Sequence, residues 1–182
     1  MLKLRRLRRR NARLALGAAT MSEYPYHIRR LGPDDVALMR RLNAMFGAAF
    51  GEPETYNVNP PDDAWLRRAL AKADIIVLAA LDGDEPVGGL VAYELDKFEQ
   101  PRREIYLYDL AVAAAHRRRR VATRLIDALC EIARTYGAWT IFVQADIGDD
   151  AAIALYQGLG VREDAIHFDI AIPPLRALRE EG

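Results

Sequence analysis

The chain has 182 residues, of which 51% are hydrophobic and 29% are charged. This composition is typical of a globular protein and excludes a disordered chain or a small disulfide-bonded scaffold, and the length fits one domain. Cys130 is the only cysteine, which excludes an internal disulfide and favours a cytoplasmic location. No apolar run approaches the roughly 18–20 residues that a membrane span requires.

The charge of the chain is unevenly distributed. Residues 1–20 carry seven basic residues and no acidic one, so the rest of the chain holds 19 basic against 26 acidic residues, a net charge of −7. We predict that residues 1–22 are a disordered basic arm and that residues 23–182 form one domain. A nucleic-acid-binding role for the arm stays open. An acidic body raises the local concentration of a cationic substrate and repels nucleic acid and anionic membranes. The charge therefore favours a polycationic small-molecule substrate.

Hydrophobic periodicity and turn residues predict the element order β-α-α-β-β-β-α-β-α-β. The predicted strands cover residues 26–30, 75–81, 86–95, 104–112, 140–145 and 161–170. The predicted helices cover residues 36–46, 62–70, 121–136 and 151–159. Residues 51–61, rich in Pro, Asn and Glu, are predicted to be a substrate-side loop. A hairpin followed by a βαβ unit implies a mixed sheet with helices on its faces.

The predicted strand at residues 104–112 does not alternate regularly. Its apolar side chains change parity halfway, between the pair Ile105 and Leu107 and the pair Leu110 and Val112. Because successive side chains point to opposite faces, a regular strand cannot bury all four on one face. Either the strand is buried on both faces, or an extra residue near Tyr108-Asp109 forms a β-bulge. We favour the bulge, because it restores the alternation.

The end of this strand leads into a basic helix start. The sequence runs Asp109-Leu110-Ala111-Val112, then a short link, then His116-Arg117-Arg118-Arg119-Arg120-Val121-Ala122-Thr123. A helix start presents unpaired backbone N–H groups and a positive dipole end, which together bind phosphate groups. The junction therefore predicts a pyrophosphate site, and the alternative is a solvated basic helix start.

The junction resembles the cofactor loop of the GNAT acetyltransferases, which reads Arg/Gln-x-x-Gly-x-Gly/Ala. Arg117 fills the first position and Ala122 the last, but Arg120 stands where the first glycine is usual. Glycine lets the backbone approach phosphate without a Cβ, so Arg120 either crowds the pyrophosphate or adds a guanidinium contact. The resemblance implies acetyl-CoA as co-substrate and no metal. The residues it assigns to cofactor binding are Leu110, Ala111, Val112, Arg117, Arg118, Arg119, Arg120, Val121, Ala122 and Thr123.

Within that family, the chain is similar to the aminoglycoside 3-N-acetyltransferases of the gentamicin type over roughly residues 29–170. The similarity is carried by residues 97–102, 104–106, 108–112, 143–146, 148–150, 154–156, 159–160, 162–163 and 167–170. It implies an α+β (mixed α/β) GNAT fold, with a mostly antiparallel sheet of about six to seven strands flanked by about four helices. It also implies acetyl transfer to the 3-amino group of an aminoglycoside such as gentamicin, by direct attack in a ternary complex, which gives resistance.

Direct attack requires a base, because the substrate amine is protonated near neutrality. Asp109 is the first candidate, since it lies at the predicted bulge, and Glu104 is the second. The alternative for each is ligand pairing or a structural role. The resemblance adds Tyr156, which matches a tyrosine that protonates the departing thiolate, and core packing is its alternative. It also places backbone groups of Leu110 and Val112 along the pantetheine arm.

A polycationic substrate needs carboxylates around its cleft. The candidates lie at predicted strand ends or in loops, and they are Glu99, Asp146, Asp149, Asp150 and Asp169. The alternative for Asp149 and Asp150 is capping of the helix that follows them.

Other functions stay open at this point. The acceptor of the acetyl group is either an aminoglycoside or another amine, such as a polyamine or a protein N-terminus. A regulator that binds acyl-CoA without turnover is a further alternative, motivated by Arg120. The sequence does not decide whether the chain forms a homodimer.

Overall fold

The structure, a computed structural model, describes residues 24–172. The predicted basic arm, residues 1–22, lies outside the described residues. In chain order the elements are β1 (His27–Arg30), α1 (Val36–Phe50), α2 (Pro53–Asn57), α3 (Asp63–Leu70), β2 (Ile75–Asp82), β3 (Glu85–Lys97), β4 (Arg102–Val112), a short 3-10 helix (Ala114–His116), α4 (Val121–Thr135), β5 (Ala138–Val143) and α5 (Asp150–Leu159).

The five strands form one sheet in sequence order, β1-β2-β3-β4-β5. Strands β1 to β4 pair antiparallel, and β5 pairs parallel to β4. The parallel pair needs a crossover connection, and helix α4 supplies it. The predicted mixed sheet flanked by helices is confirmed.

Two apolar cores lie on opposite faces of the sheet. Helix α4 buries Leu125 and Leu129 against one face of β4. Helix α1 buries Leu42 and Phe46 against the other face, which also carries Val77. Strand β2 is therefore buried on both faces, which explains its continuous apolar sequence from residue 75 to residue 81.

Local capping chemistry sets the helix boundaries, and the first helix runs four residues further than the predicted range of 36–46. The Asp62 carboxylate accepts a hydrogen bond from the Trp65 N–H at 2.7 Å and caps α3. Helix α1 ends at Gly51, which has a φ of 73°, a left-handed conformation that favours glycine. Residues 51–61, predicted as a loop, contain the additional one-turn helix α2, which begins at Pro53. Proline suits the first turn of a helix because the N–H groups there have no intrahelical partner.

The predicted final strand at residues 161–170 is wrong. The structure assigns no strand to residues 161–172, and the side chains of Ile166, Phe168 and Ile170 are exposed. Alternating apolar residues give strand propensity, but a strand also needs a neighbour for its hydrogen bonds. The described residues accordingly form five strands instead of six or seven, and five α-helices instead of four. Within the same range, no helix has the length and apolar character to cross a membrane.

Candidate functional site

Strand β4 contains a bulge at Tyr108. Opposite it on β3, Ala92 pairs with Leu107 and the next residue, Val91, pairs with Asp109, so Tyr108 is the extra residue. Leu110 and Val112 consequently pack with Ile105 and Leu107 on the α4 side. The predicted bulge is confirmed. Because the extra residue brings all four side chains to the same face of the sheet, a strand buried on both faces is not required to bury them.

Strands β4 and β5 separate at the same point. Their parallel pairing runs from Arg103 to Leu107 and ends just before the bulge. On the other side of β4, Ala113 donates its N–H to the Val87 C=O at 2.9 Å. Because successive residues of a strand direct their backbone groups to opposite sides, Leu110 and Val112 direct theirs away from β3.

The backbone of Leu110 and Val112 is therefore available along an open edge. Among residues 24–172, no strand pairs with β4 at this edge beyond Leu107. The Val112 C=O accepts a hydrogen bond from the Arg117 Nε at 3.1 Å. Ala111 is buried against the α1 side and directs its backbone groups towards β3. Of these three predicted cofactor residues, Leu110 and Val112 offer backbone groups to a ligand, while Ala111 packs.

Asp109 lies beside this opening in a partly apolar environment. Its carboxylate accepts a hydrogen bond from the Tyr56 hydroxyl at 3.4 Å. Burial raises the pKa of Asp109 above its ordinary value, and the hydrogen bond from Tyr56 partly offsets that rise. Burial and the neighbouring Asp109 raise the pKa of Tyr56 to about 12, so Tyr56 remains a hydrogen-bond donor near neutral pH. A carboxylate with a raised pKa is a stronger base than an ordinary one.

Glu104, the second candidate base, has different surroundings. It lies on the same face of β4 but forms ion pairs with Arg102 at 3.2 Å and with Lys97 at 3.7 Å. These two ion pairs engage both oxygen atoms of the Glu104 carboxylate. These contacts favour Asp109 as the base and a structural role for Glu104.

The loop before α4 is built around two arginines in the left-handed region. Arg118 has a φ of 61° and Arg120 has a φ of 64°. Within residues 24–172, neither guanidinium group forms a hydrogen bond or an ion pair. Val121, Ala122 and Thr123 supply the first N–H groups of α4, ahead of the first helical bond from Arg124 N–H to Arg120 C=O. Backbone that alternates between right- and left-handed conformations points successive N–H groups at one spot and binds anions.

The two other arginines of the loop hold it in place. Besides the Val112 C=O, Arg117 reaches the Ala49 C=O near the end of α1, at 3.5 Å. Arg119 donates to the hydroxyl of Tyr26 at 3.2 Å, and that hydroxyl also contacts His116 Nδ1 at 3.0 Å. Arg117 and Arg119 therefore tether the loop, whereas Arg118 and Arg120 are available to an anion.

Tyr156 lies on α5 and packs, partly buried, against the core under α4. Burial and the nearby charge of Asp149 raise its pKa to about 12, so it is protonated at neutral pH. Asp149 itself caps α5 by accepting a hydrogen bond from the Ala152 N–H at 3.0 Å, and Asp150 is the first residue of that helix. The capping alternative for Asp149 is confirmed.

The other predicted substrate acids lie on three separate segments of the chain. Glu99 forms an ion pair with Arg102 at 2.6 Å, and Asp146 lies in the exposed loop before α5. Asp169 contacts His167 at 3.0 Å. All five predicted acids are exposed, and the structure gathers them into no single cluster within residues 24–172. Their substrate role stays a prediction.

The sequence analysis missed the aromatic residues of this region. Tyr56 reaches Asp109 from α2, and Tyr93, Tyr106, Tyr108 and Phe142 form a row beside it. Tyr56 is the only aromatic residue between residues 51 and 61, which is the one signal that could have identified it. Among residues 24–172, no group of His, Cys, Asp and Glu side chains is arranged to hold a metal ion.

Comparisons with known proteins identify related structures. The crystal structure of an aminoglycoside acetyltransferase from an uncultured soil metagenomic sample is 56% identical, has a TM-score of 0.80, and aligns over 81% of this chain and 99% of that one. Another aminoglycoside acetyltransferase from an uncultured soil metagenomic sample, in complex with sisomicin, is 30% identical with a TM-score of 0.76, over 82% and 97% of the two chains.

Sequence comparisons agree with the fold. N-acetyltransferase 8B of Rattus norvegicus is 26% identical over 89 residues, which cover 49% of this chain and 40% of that protein's length. The chain thus spans less than half of this curated relative. A sequence profile of the Acetyltransferase (GNAT) family matches residues 37–161, which include the bulged strand, the arginine loop and Tyr156. The chain therefore belongs to the GNAT acetyltransferase family.

Proposed function

We propose that this protein transfers the acetyl group of acetyl-CoA to an amine of an aminoglycoside. The observation that carries the proposal is the bulge at Tyr108, which brings the partly buried Asp109 to the point where β4 and β5 separate. Two aminoglycoside acetyltransferases of 56% and 30% identity support the substrate class. Acetylation at the 3-amino group and the gentamicin type rest on the sequence resemblance.

The cofactor end of the proposed site consists of the arginine loop and the open edge of β4. Arg118, Arg120 and the first N–H groups of α4 would hold the pyrophosphate of acetyl-CoA. Guanidinium groups and helix N-termini both bind phosphate oxygens. The backbone groups of Leu110 and Val112 would form hydrogen bonds with the pantetheine arm, which would lie where a further strand would pair with β4. This position would place the thioester beside Asp109.

The proposed reaction is a direct transfer. Asp109 removes a proton from the substrate ammonium, and the freed nitrogen lone pair attacks the thioester carbonyl carbon. A backbone N–H at the open edge of β4 stabilises the negative charge that develops on the carbonyl oxygen. As the C–N bond forms, the C–S bond breaks, and Tyr156 donates its proton to the departing sulfur. The nitrogen then gives up its second proton, which restores the Tyr156 hydroxyl, and Asp109 releases the first proton to solvent, so that the products are the acetamide and free CoA thiol. The raised pKa of Tyr156 is consistent with a group that is protonated before the reaction.

Replacement of the proposed base tests this function. In a thiol-release assay with acetyl-CoA and gentamicin, Asp109→Asn should lower kcat/KM by about 10²- to 10⁴-fold, the usual contribution of a general base. Glu104→Gln is the matched control and should retain most of the rate. The reverse pattern would make Glu104 the base. Turnover of spermidine without turnover of gentamicin would contradict the substrate class.

The pH dependence tests the contact between Tyr56 and Asp109. A base acts only when it is deprotonated, so activity falls as the pH drops through the pKa of Asp109. The Tyr56 hydroxyl lowers that pKa by donating to the carboxylate. Tyr56→Phe should therefore move the acid limb of kcat/KM to higher pH, while Tyr136→Phe should leave it in place. A limb that stays fixed or moves to lower pH in Tyr56→Phe would show that Asp109 is not the group that titrates.

The phosphate-binding role of the loop is tested by the double variant Arg118→Gly/Arg120→Gly. Glycine adopts both left-handed conformations readily, so the variant removes the guanidinium groups without forcing the backbone into another conformation. A hydrogen bond to a charged group contributes about 1.5–3 kcal/mol, and we expect the Kd for CoA in calorimetry to rise at least about 10-fold. Arg134→Gln, at the other end of α4, is the control. An unchanged Kd in the double variant would leave the backbone as the sole phosphate ligand.

A further inference from the structure

Four aromatic side chains form a continuous row on the face of the sheet that carries Asp109. This row, which we call the aromatic shelf, consists of Tyr93, Tyr108, Tyr106 and Phe142. Neighbouring ring centroids lie 5.8 Å, 5.4 Å and 4.9 Å apart in that order. The rings of Tyr106 and Phe142 are stacked within 6° of parallel, whereas the Tyr108 ring meets those of Tyr93 and Tyr106 edge to face, at 88° and 74°. The shelf therefore runs from Tyr93 on β3, two residues from the cross-strand partner of Asp109, to Phe142 on the outer strand β5.

The shelf is open to solvent along its outer part. Tyr108 is 61% exposed and Phe142 is 38% exposed, although the same face of the sheet is covered by α1 further along β2 and β3. Tyr108 projects because it is the extra residue of the bulge. A contiguous group of exposed aromatic rings beside a catalytic site is a typical ligand surface.

Two features of the shelf favour a cationic occupant. The faces of aromatic rings attract ammonium groups, and the Asp109 carboxylate lies at one end of the row. Burial raises the pKa values of Tyr93 and Tyr106, so neither phenol competes as a titrating group near neutrality. Arg102 and Lys97 also lie near this face, but both form ion pairs with Glu99 and Glu104, which offset their positive charge.

The far end of the shelf is lined by polar groups. The Tyr106 hydroxyl donates to the Gln144 side chain at 2.8 Å, and Gln144 contacts His167, which pairs with Asp169. A row of rings with a carboxylate at one end and hydrogen-bonding side chains at the other suits a flat, polar and cationic molecule. An amino sugar has such a shape, since its ring presents C–H groups on its face and hydroxyl and ammonium groups at its rim.

We propose that the aromatic shelf binds a second amino-sugar ring of a multi-ring aminoglycoside, while Asp109 faces the aminocyclitol ring that is acetylated. The inference rests on the proposed function and adds the residues that select for more than one ring. A linear polyamine presents ammonium groups but no sugar ring, so it would gain only the cation–π part of this interaction.

The test compares a multi-ring acceptor, gentamicin, with its single-ring core, 2-deoxystreptamine. Tyr108→Leu and Phe142→Leu each remove a ring but keep an apolar side chain. Each should raise the KM for gentamicin about 3- to 10-fold, as expected for loss of a partly exposed cation–π contact, with kcat retained. The KM for 2-deoxystreptamine, or its Ki where it acts only as a competitive inhibitor, should not change.

Controls separate loss of the ring from other effects. Tyr108→Phe and Phe142→Tyr restore a ring and should bring the KM for gentamicin back towards that of the wild type. Trp65→Leu removes an exposed aromatic ring from α3, outside the shelf, and should leave the kinetics unchanged. Equal changes for both acceptors, or a loss of kcat alone, would overturn the shelf but leave the proposed function intact. Absence of thiol release from the wild type with every aminoglycoside, while CoA still binds, would overturn the function and the shelf together.

Discussion

The extra residue in β4, Tyr108, is the constraint on which the rest of the site depends. Without it, Leu110 and Val112 would point to the α1 side, and the core under α4 would lose two apolar side chains. With it, both side chains join that core, and the pairing of β4 with β5 ends just before the bulge, so that the backbone of both residues remains open. One inserted residue thus satisfies the core, opens an edge for an extended ligand and places Asp109 at that edge.

The arginine loop shows how conformational strain is retained at the proposed cofactor site. A residue with a Cβ in the left-handed region costs about 1–2 kcal/mol, and this loop contains two, Arg118 and Arg120. The surrounding contacts compensate: Arg117 ties the loop to β4 and α1, and Arg119 ties it to the buried Tyr26. In the sequence, Arg120 departs from a glycine motif. The structure gives Arg120 a left-handed backbone conformation, which glycine adopts readily, and its guanidinium group forms no hydrogen bond or ion pair within residues 24–172.

The sequence predicted those parts of the protein that depend on local patterns. The change of parity between Ile105 and Leu110 predicted the bulge, and the composition of residues 51–61 predicted a connection between two helices, because side-chain alternation and turn chemistry are properties of short segments. Contacts between distant segments were not predictable in this way. Tyr56 reaches Asp109 through the fold, 53 positions along the chain. The strand pattern at residues 161–170 was equally clear but found no partner in the described sheet, since pairing is decided by the neighbour as well as by the segment.

The central proposal is that the open edge of β4 receives the thioester arm of acetyl-CoA. Residue-resolved amide exchange measured by NMR with and without acetyl-CoA tests it most directly. Leu110 and Val112 direct their N–H groups to the open edge, whereas Ala111 between them directs its own towards β3. The account predicts that acetyl-CoA slows exchange at Leu110 and Val112 and leaves Ala111 unchanged. Slower exchange at all three alike, or at none of them, would contradict it.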